Sequence, residues 1–147
     1  FGAVLCFCMV QIAGCSKTTA ELIEQAKSQS SKGDLGGALI TAKSAAQQSP
    51  DLWEARLLLA RLSNEAYLFA QAESEAGKAA SLMSGDAQLE AVLELMRALR
   101  SQSKFSEMVN YAMPEFLNAP APLRASVIAI VGRAKHALGS HEEAAKD

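Results

Sequence analysis

Basic side chains recur at a nearly constant interval along the 147-residue sequence. Lys27, Arg61, Arg97 and Arg133 are separated by 34, 36 and 36 residues. A guanidinium group presents a planar set of N–H donors and can bind a carboxylate or a phosphate through two parallel hydrogen bonds. Such a column is a candidate site for an acidic peptide or an acidic polysaccharide. The alternative is a solvated surface on which glutamates pair with the cations, each pair being worth about 0.3–0.5 kcal/mol.

No catalytic motif accompanies these cations. The sequence contains no G-x-S-x-G nucleophile elbow, no phosphate-binding P-loop and no H-E-x-x-H zinc motif. Its two histidines, His136 and His141, are five residues apart, which does not place them on one face of a helix. We interpret them as solvated surface, and we expect neither enzymatic activity nor a metal or other cofactor within these residues.

Residues 1–14 are a separate, uncharged segment, and every charged residue of the chain lies at Lys17 or later. This segment is too short to span a bilayer as a helix, which needs about 20 residues. Its length suits the hydrophobic region of a secretory signal peptide. Neither a Met nor a basic stretch precedes it, so we expect the beginning of the signal to be missing.

The end of this segment resembles the bacterial lipobox. Ile12, Ala13 and Gly14 supply an aliphatic residue and two small residues directly before Cys15. The resemblance implies cleavage before Cys15 and attachment of a diacylglycerol to its thiol. Because Ser16 rather than Asp follows, it also implies a lipid anchor in the outer membrane, with the protein facing the periplasm. Residues 15–18 then form a short linker.

Composition favours closely packed helices. Alanine accounts for 28 of the 147 residues, whereas aromatic residues make up only 5%. Many small and few large apolar side chains favour helix packing over a sandwich or barrel. A net charge of −2 argues against a nucleic-acid partner. The three cysteines all lie within the first fifteen residues, which argues against a disulfide scaffold.

The segment after the linker resembles a tetratricopeptide repeat (TPR). The matching residues are a turn glycine, two alanines and a terminating proline, namely Gly33, Ala38, Ala45 and Pro50. The pattern predicts a helix over 18–31 that starts with a capping box. It also predicts a second helix over Leu35–Gln48 that is capped by Asp34.

Three more units follow at similar spacing. Repeat starts near residues 19, 53, 89 and 125 divide 19–147 into about four repeats, the last one incomplete. The predicted helices are 52–65, 69–82, 86–102 and 105–117. Tyr67 replaces the turn glycine of the second unit, Pro114 is expected to break the helix over 105–117, and Gly139 marks the last turn. Trp53 and Tyr67 are interpreted as packing residues.

These patterns predict an all-α fold. The expected architecture is a right-handed TPR α-solenoid of antiparallel helix pairs, preceded by a signal-peptide helix. Each pair cannot bury its apolar face alone, so neighbouring repeats stack into a continuous array.

Residues 12–85 are most similar to one family, the TPR-repeat lipoproteins of the PEP-CTERM system. The matching residues are Ile12 to Cys15, Ala26-Lys27, Lys32-Gly33-Asp34, Ala38, Lys43, Ala45, Pro50 and Glu54-Ala55-Arg56-Leu57-Leu58-Leu59. This family is associated with exopolysaccharide loci and a protein-sorting system of Gram-negative bacteria. The resemblance implies a non-enzymatic scaffold that binds proteins of that envelope machinery, and a chain that is part of a longer protein.

In TPR arrays the first helix of each repeat lines a concave groove, and the resemblance places the basic column there. Asn64 and Arg100 occupy a neighbouring groove position. The candidate binding set is Lys27, Arg61, Asn64, Arg97, Arg100 and Arg133. A basic column in a groove focuses electrostatic potential despite the acidic net charge. Glu54 and Glu90 are the glutamates that would form the competing pairs.

The sequence is also compatible with two other functions. A TPR lipoprotein can instead assist the assembly of a pilus or of outer-membrane proteins, which gene neighbourhood and crosslinked partners would reveal. An enzyme with a catalytic domain beyond Asp147 is the other alternative, which the full reading frame would reveal.

Overall fold

The computed structural model describes residues 17–111, 116 and 118–144 and shows an all-α chain. The helices are α1 (Thr19–Ser31), α2 (Leu35–Gln48), α3 (Trp53–Glu65), α4 (Phe69–Ser81), α5 (Gly85–Ser101), α6 (Phe105–Asn110) and α7 (Ala121–Ala144). There is no strand among the described residues. The predictions for Ile12, Ala13, Gly14 and Cys15 lie outside this part of the chain.

Consecutive helices pack as antiparallel pairs, as predicted. Alternate helices also touch, because α1 contacts α3, α3 contacts α5, and α5 contacts α7. These four helices therefore form one continuous layer, which we call the odd-helix layer. None of the helices in the described ranges is long and apolar enough to cross a lipid bilayer.

Small side chains set the close spacing of the helices. The fully buried alanines include Ala26, Ala38, Ala45, Ala60, Ala72, Ala76 and Ala79. Larger side chains fill the spaces between them and form two main core clusters. One cluster joins α1, α2 and α3. The other extends from Ala60 of α3 to Ala134 of α7 and contains Leu99, which is 1% exposed.

Side-chain caps start the first two helices where the sequence predicts them. The Thr18 hydroxyl accepts from the Glu21 N–H at 3.3 Å, and the Glu21 carboxylate accepts from the Thr18 N–H at 2.7 Å. These reciprocal bonds confirm the capping box. Asp34 Oδ1 accepts from the Gly37 N–H at 2.9 Å, which confirms the second cap. A Cβ on Gly37 would lie 2.1 Å from Asp34 Oδ2, so a larger residue there would require the capping side chain to shift.

The turns that end α1, α3 and α5 share one backbone geometry. Gly33, Tyr67 and Ser103 occupy the same place in each turn, with φ angles of 82°, 60° and 59°. In each turn, the N–H of this residue donates to the carbonyl three residues earlier. The next N–H donates to the carbonyl five residues before it, and all these distances are 2.8–3.2 Å. This is the Schellman motif, and it repeats at the interval seen in the sequence.

Replacing Ser103 by glycine is expected to raise the free energy of unfolding by about 0.5–1 kcal/mol. A left-handed backbone strains any residue with a Cβ, and the relief exceeds the entropy that glycine adds to the unfolded chain. Gly33→Ala should lower stability by a similar amount, because no atom lies within 4 Å of the added Cβ and only the backbone strain acts. Urea unfolding followed by circular dichroism measures both, and equal stabilities for all three chains would contradict the expectation.

Near the end of the chain one expectation is met and one fails. The helix predicted over 105–117 ends early, as α6 at Asn110, which agrees with the break expected from Pro114. Asn110 is four residues before that proline, which has no N–H to donate to its carbonyl. Pro114 itself lies outside the described residues. The turn expected at Gly139 is absent, because α7 continues through it to Ala144. A single glycine costs a helix about 1 kcal/mol relative to alanine, which does not by itself end the helix.

Glu73 of α4 accepts hydrogen bonds from Lys104 at 2.8 Å and from Gln102 at 2.7 Å, which ties α4 to the turn before α6. The bond from Lys104 lowers the pKa of Glu73 below its ordinary 4.5, whereas partial burial acts in the opposite direction. A carboxyl whose pKa is lower in the folded state stabilises the fold at pH values above its unfolded pKa. That contribution is lost as the pH falls through the folded pKa.

Acid should therefore destabilise the wild-type chain more than Glu73→Gln. The free energy of unfolding of the two chains should differ at neutral pH and converge as the pH falls below the ordinary glutamate value. Urea unfolding at a series of pH values measures the difference. Glu65→Gln, at the exposed end of α3, is the control. A difference between wild type and Glu73→Gln that does not change with pH would contradict this account.

Candidate ligand-binding cleft

A cleft of about 840 Å³ opens on the odd-helix layer where α3, α5 and α7 meet. Its polar lining consists of Arg61, Asn64, Glu65, Glu90, Glu94, Arg97, Arg100, Ser101 and Ser126. Its apolar lining consists of Tyr67, Phe69, Leu93, Pro122 and Leu123. We call this the α3–α5–α7 cleft.

The structure brings four of the six predicted binding residues into this cleft, namely Arg61, Asn64, Arg97 and Arg100. Lys27 and Arg133 do not line it. Lys27 is exposed on α1 and pairs with Glu24 at 2.7 Å. Arg133 is exposed on α7, and its Nε donates to the carbonyl of Ala129 at 3.2 Å. The predicted column is therefore not one continuous site among the described residues.

Two of the cleft arginines are already paired with glutamates. Arg61 Nη2 lies 2.7 Å from Glu90 Oε2, and Arg61 Nε lies 3.5 Å from Glu94 Oε1. Arg97 Nη1 lies 2.9 Å from the same Glu94 oxygen. Of the two glutamates suggested by the sequence, Glu90 forms its pair. Glu54 does not, and its buried Oε2 has no hydrogen-bond partner in the described part of the chain.

Glu94 is the residue that sequence reasoning missed. Its side chain is only 7% exposed, and Asn64 Nδ2 donates to both its carboxylate and its main-chain carbonyl at 3.1 Å. A buried carboxylate is costly unless charged or polar donors surround it, and Asn64, Arg61 and Arg97 provide that surrounding. Its position three residues before Arg97 was the available signal in the sequence.

The cleft is consequently balanced in formal charge. Three arginines face three glutamates in its lining, the glutamates being Glu65, Glu90 and Glu94. This differs from the basic column expected from the sequence, because that expectation considered Glu90 but did not include Glu65 or Glu94. The Arg100 guanidinium differs from the other two, since it forms no ion pair or hydrogen bond with the described residues.

Aromatic side chains form one edge of the cleft. Tyr67 is 80% exposed, and its ring centroid lies 6.0 Å from that of Phe69 in an edge-to-face arrangement at 87°. The interpretation of Tyr67 as a core packing residue is therefore wrong. Trp53 does pack, since it is half-buried against the small cluster that contains Leu57 and Ala79.

No group of three or more His, Cys, Asp or Glu residues within the described ranges is placed to hold a metal ion. His136 lies on α7, which continues through His141. The chain was also compared with known proteins. Neither the protein-family models nor the curated proteins yield a match to it.

Proposed function

We propose that this chain is a non-enzymatic TPR scaffold that binds a segment of a partner protein in the α3–α5–α7 cleft. The observation that carries the proposal is the cleft itself, an open groove with polar, charged and aromatic lining on the odd-helix layer. Three identical turns at the repeat interval support the TPR interpretation. Stacked repeats characteristically offer such extended surfaces for binding other proteins.

The proposal places the chain at the outer membrane, facing the periplasm and anchored by lipid on Cys15. The uncharged residues 1–14 and the run from Ile12 to Cys15 support this location. The similarity of residues 12–85 to PEP-CTERM system lipoproteins suggests partners in exopolysaccharide export or protein sorting.

Incorporation of radiolabelled palmitate tests the anchor. In a Gram-negative host that expresses the full reading frame, the wild-type protein should be labelled, and Cys15→Ala should not. Labelling of neither protein would remove the support for an envelope location. A soluble TPR adaptor would then be the better proposal.

Site-specific photocrosslinking tests the binding surface. A photoreactive amino acid at Ser101, which lines the cleft, should crosslink to a partner in cells that naturally express the chain. The same amino acid at Ser44, which is exposed on α2 outside the cleft lining, is the matched control. Equal crosslinking at both positions would contradict binding in the cleft. A pilus or outer-membrane assembly protein as the partner would favour the assembly function over export.

A further inference from the structure

We propose that the α3–α5–α7 cleft selects a peptide segment that carries one acidic side chain next to a large apolar side chain. Arg100 contacts the acid, Tyr67 contacts the apolar side chain, and Glu94 acts as a positioning residue that withholds Arg61 and Arg97 from the ligand. This inference rests on the proposed function and specifies its ligand.

Glutamates already pair with two of the three arginines in the cleft. Glu94 is 5% exposed, and Arg61 and Arg97 both lie against its Oε1. If either arginine turned to a ligand anion, the buried carboxylate would lose part of its compensation. Arg61 also holds Glu90 at 2.7 Å. These two cations therefore stabilise the cleft wall and are not the contacts for an anionic ligand.

Arg100 is the third arginine in the lining of the cleft. Its guanidinium is half-buried and has no acceptor among the described residues. A planar guanidinium in this situation favours a carboxylate, which can accept two parallel hydrogen bonds. One cation in this state matches one acidic side chain. A polyanionic polysaccharide would need several cations in a row, so the cleft favours a peptide.

Tyr67 belongs to the apolar lining of the cleft. Its backbone holds the left-handed φ of 60° that Gly33 adopts without strain in the equivalent turn. The ring gains little burial in return, since it is 80% exposed. Strained residues cluster at functional sites, and tyrosine is enriched in protein interfaces because it offers a large, rigid contact surface. Together with Phe69 and Leu123, it provides an apolar surface in the same cleft as Arg100.

Selection from a phage-displayed octapeptide library on the immobilised full chain tests the inference. Wild-type protein should enrich peptides with one Asp or Glu close to an aromatic or large aliphatic residue. Arg100→Gln should lose the enrichment of acid, and Tyr67→Gly should lose that of the apolar residue. Glu94→Gln retains an acceptor for Asn64 but releases Arg97, whereas Arg61 keeps its pair with Glu90. This variant should therefore enrich peptides with two acids.

Ser103→Gly is the matched control, because it relieves the same backbone strain at a turn that does not line the cleft. Fluorescence anisotropy with the best wild-type peptide should show about tenfold weaker binding for Arg100→Gln and unchanged binding for Ser103→Gly. Polygalacturonate at equal charge should not displace the peptide. Displacement would assign the cleft to acidic polysaccharides and overturn the peptide inference.

The outcomes separate the two proposals. If wild-type protein enriches no peptide, both the proposed function and this inference fail. If wild type, Arg100→Gln and Tyr67→Gly all select the same peptide sequences, the chain binds protein segments. The assignment of Arg100 and Tyr67 as the contacts is then overturned. A gain of acid specificity in Glu94→Gln supports the positioning role, since a merely structural glutamate would not change which peptides are selected.

Discussion

Replacing Leu99 by alanine is expected to lower the free energy of unfolding by about 2–5 kcal/mol. Leu99 is 1% exposed and belongs to the core cluster that joins α5 to Met108 of α6 and to Val127 and Ile130 of α7. Removing its isobutyl group takes away buried apolar surface and leaves a cavity that well-packed helices fill only in part. Equilibrium urea unfolding, followed by circular dichroism at 222 nm, measures the loss.

The matched control is Ile40→Ala on α2. Ile40 is 72% exposed, and alanine has the higher helix propensity, so this variant should stay within about 0.5 kcal/mol of wild type. Amide exchange adds a spatial test. In Leu99→Ala, exchange should accelerate more in α5, α6 and α7 than in α1 and α2, whose core cluster does not include Leu99. Similar losses of unfolding free energy for Leu99→Ala and Ile40→Ala would show that the cluster containing Leu99 is not a tightly packed core.

Changing Asn64 to aspartate is expected to destabilise the chain by about 2–3 kcal/mol at neutral pH. Asn64 Nδ2 donates to two acceptors of Glu94 at 3.1 Å. An aspartate at this position has no donor to offer them and places a second carboxylate against a buried one. The pair links α3 to α5, so its loss should loosen the odd-helix layer at the cleft.

The pH dependence makes this prediction specific. Two adjacent carboxylates repel each other, so the pair binds one proton more tightly than an isolated carboxylate does. That proton can then form a hydrogen bond between the two groups. The difference in unfolding free energy between wild type and Asn64→Asp should therefore shrink as the pH is lowered from about 7 to about 5. Asn110→Asp, at an exposed position, should show little effect at either pH. A penalty for Asn64→Asp that does not vary with pH would exclude repulsion by Glu94 as its cause.

Most helices could be predicted from the sequence, because local signals define their ends. The second predicted helix matches α2 residue for residue, and the other predicted boundaries of α1 to α5 differ from the structure by at most one residue. Caps at Thr18 and Asp34 and the turn at Gly33 act within a few residues and need no tertiary context. The last helix was harder to predict, because whether a single glycine such as Gly139 ends a helix depends on what packs around it.

The cleft could be predicted only in part, because its key contacts join residues about 30 positions apart. The basic column correctly drew attention to Arg61 and Arg97, and the sequence also suggested Glu90 as a partner for the cations, but it did not reveal the role of Glu94. Glu94 has no counterpart one repeat earlier or later, where Leu58 and Ile130 stand. A search for repeated residue types therefore passes over it. The pairing of Asn64 with Glu94 follows from how α3 sits against α5, and only the three-dimensional structure supplies that.

The shared turn geometry has a consequence for how such a chain can change. Gly33, Tyr67 and Ser103 differ in size and chemistry, yet the backbone around them is the same. Each helix pair thus offers one position whose side chain is not constrained by the core and costs only local backbone strain. A lineage could vary these positions one at a time, altering what the surface displays without redesigning the interior. These turn positions recur at a regular spacing, so each can carry a different side chain while the buried core stays the same.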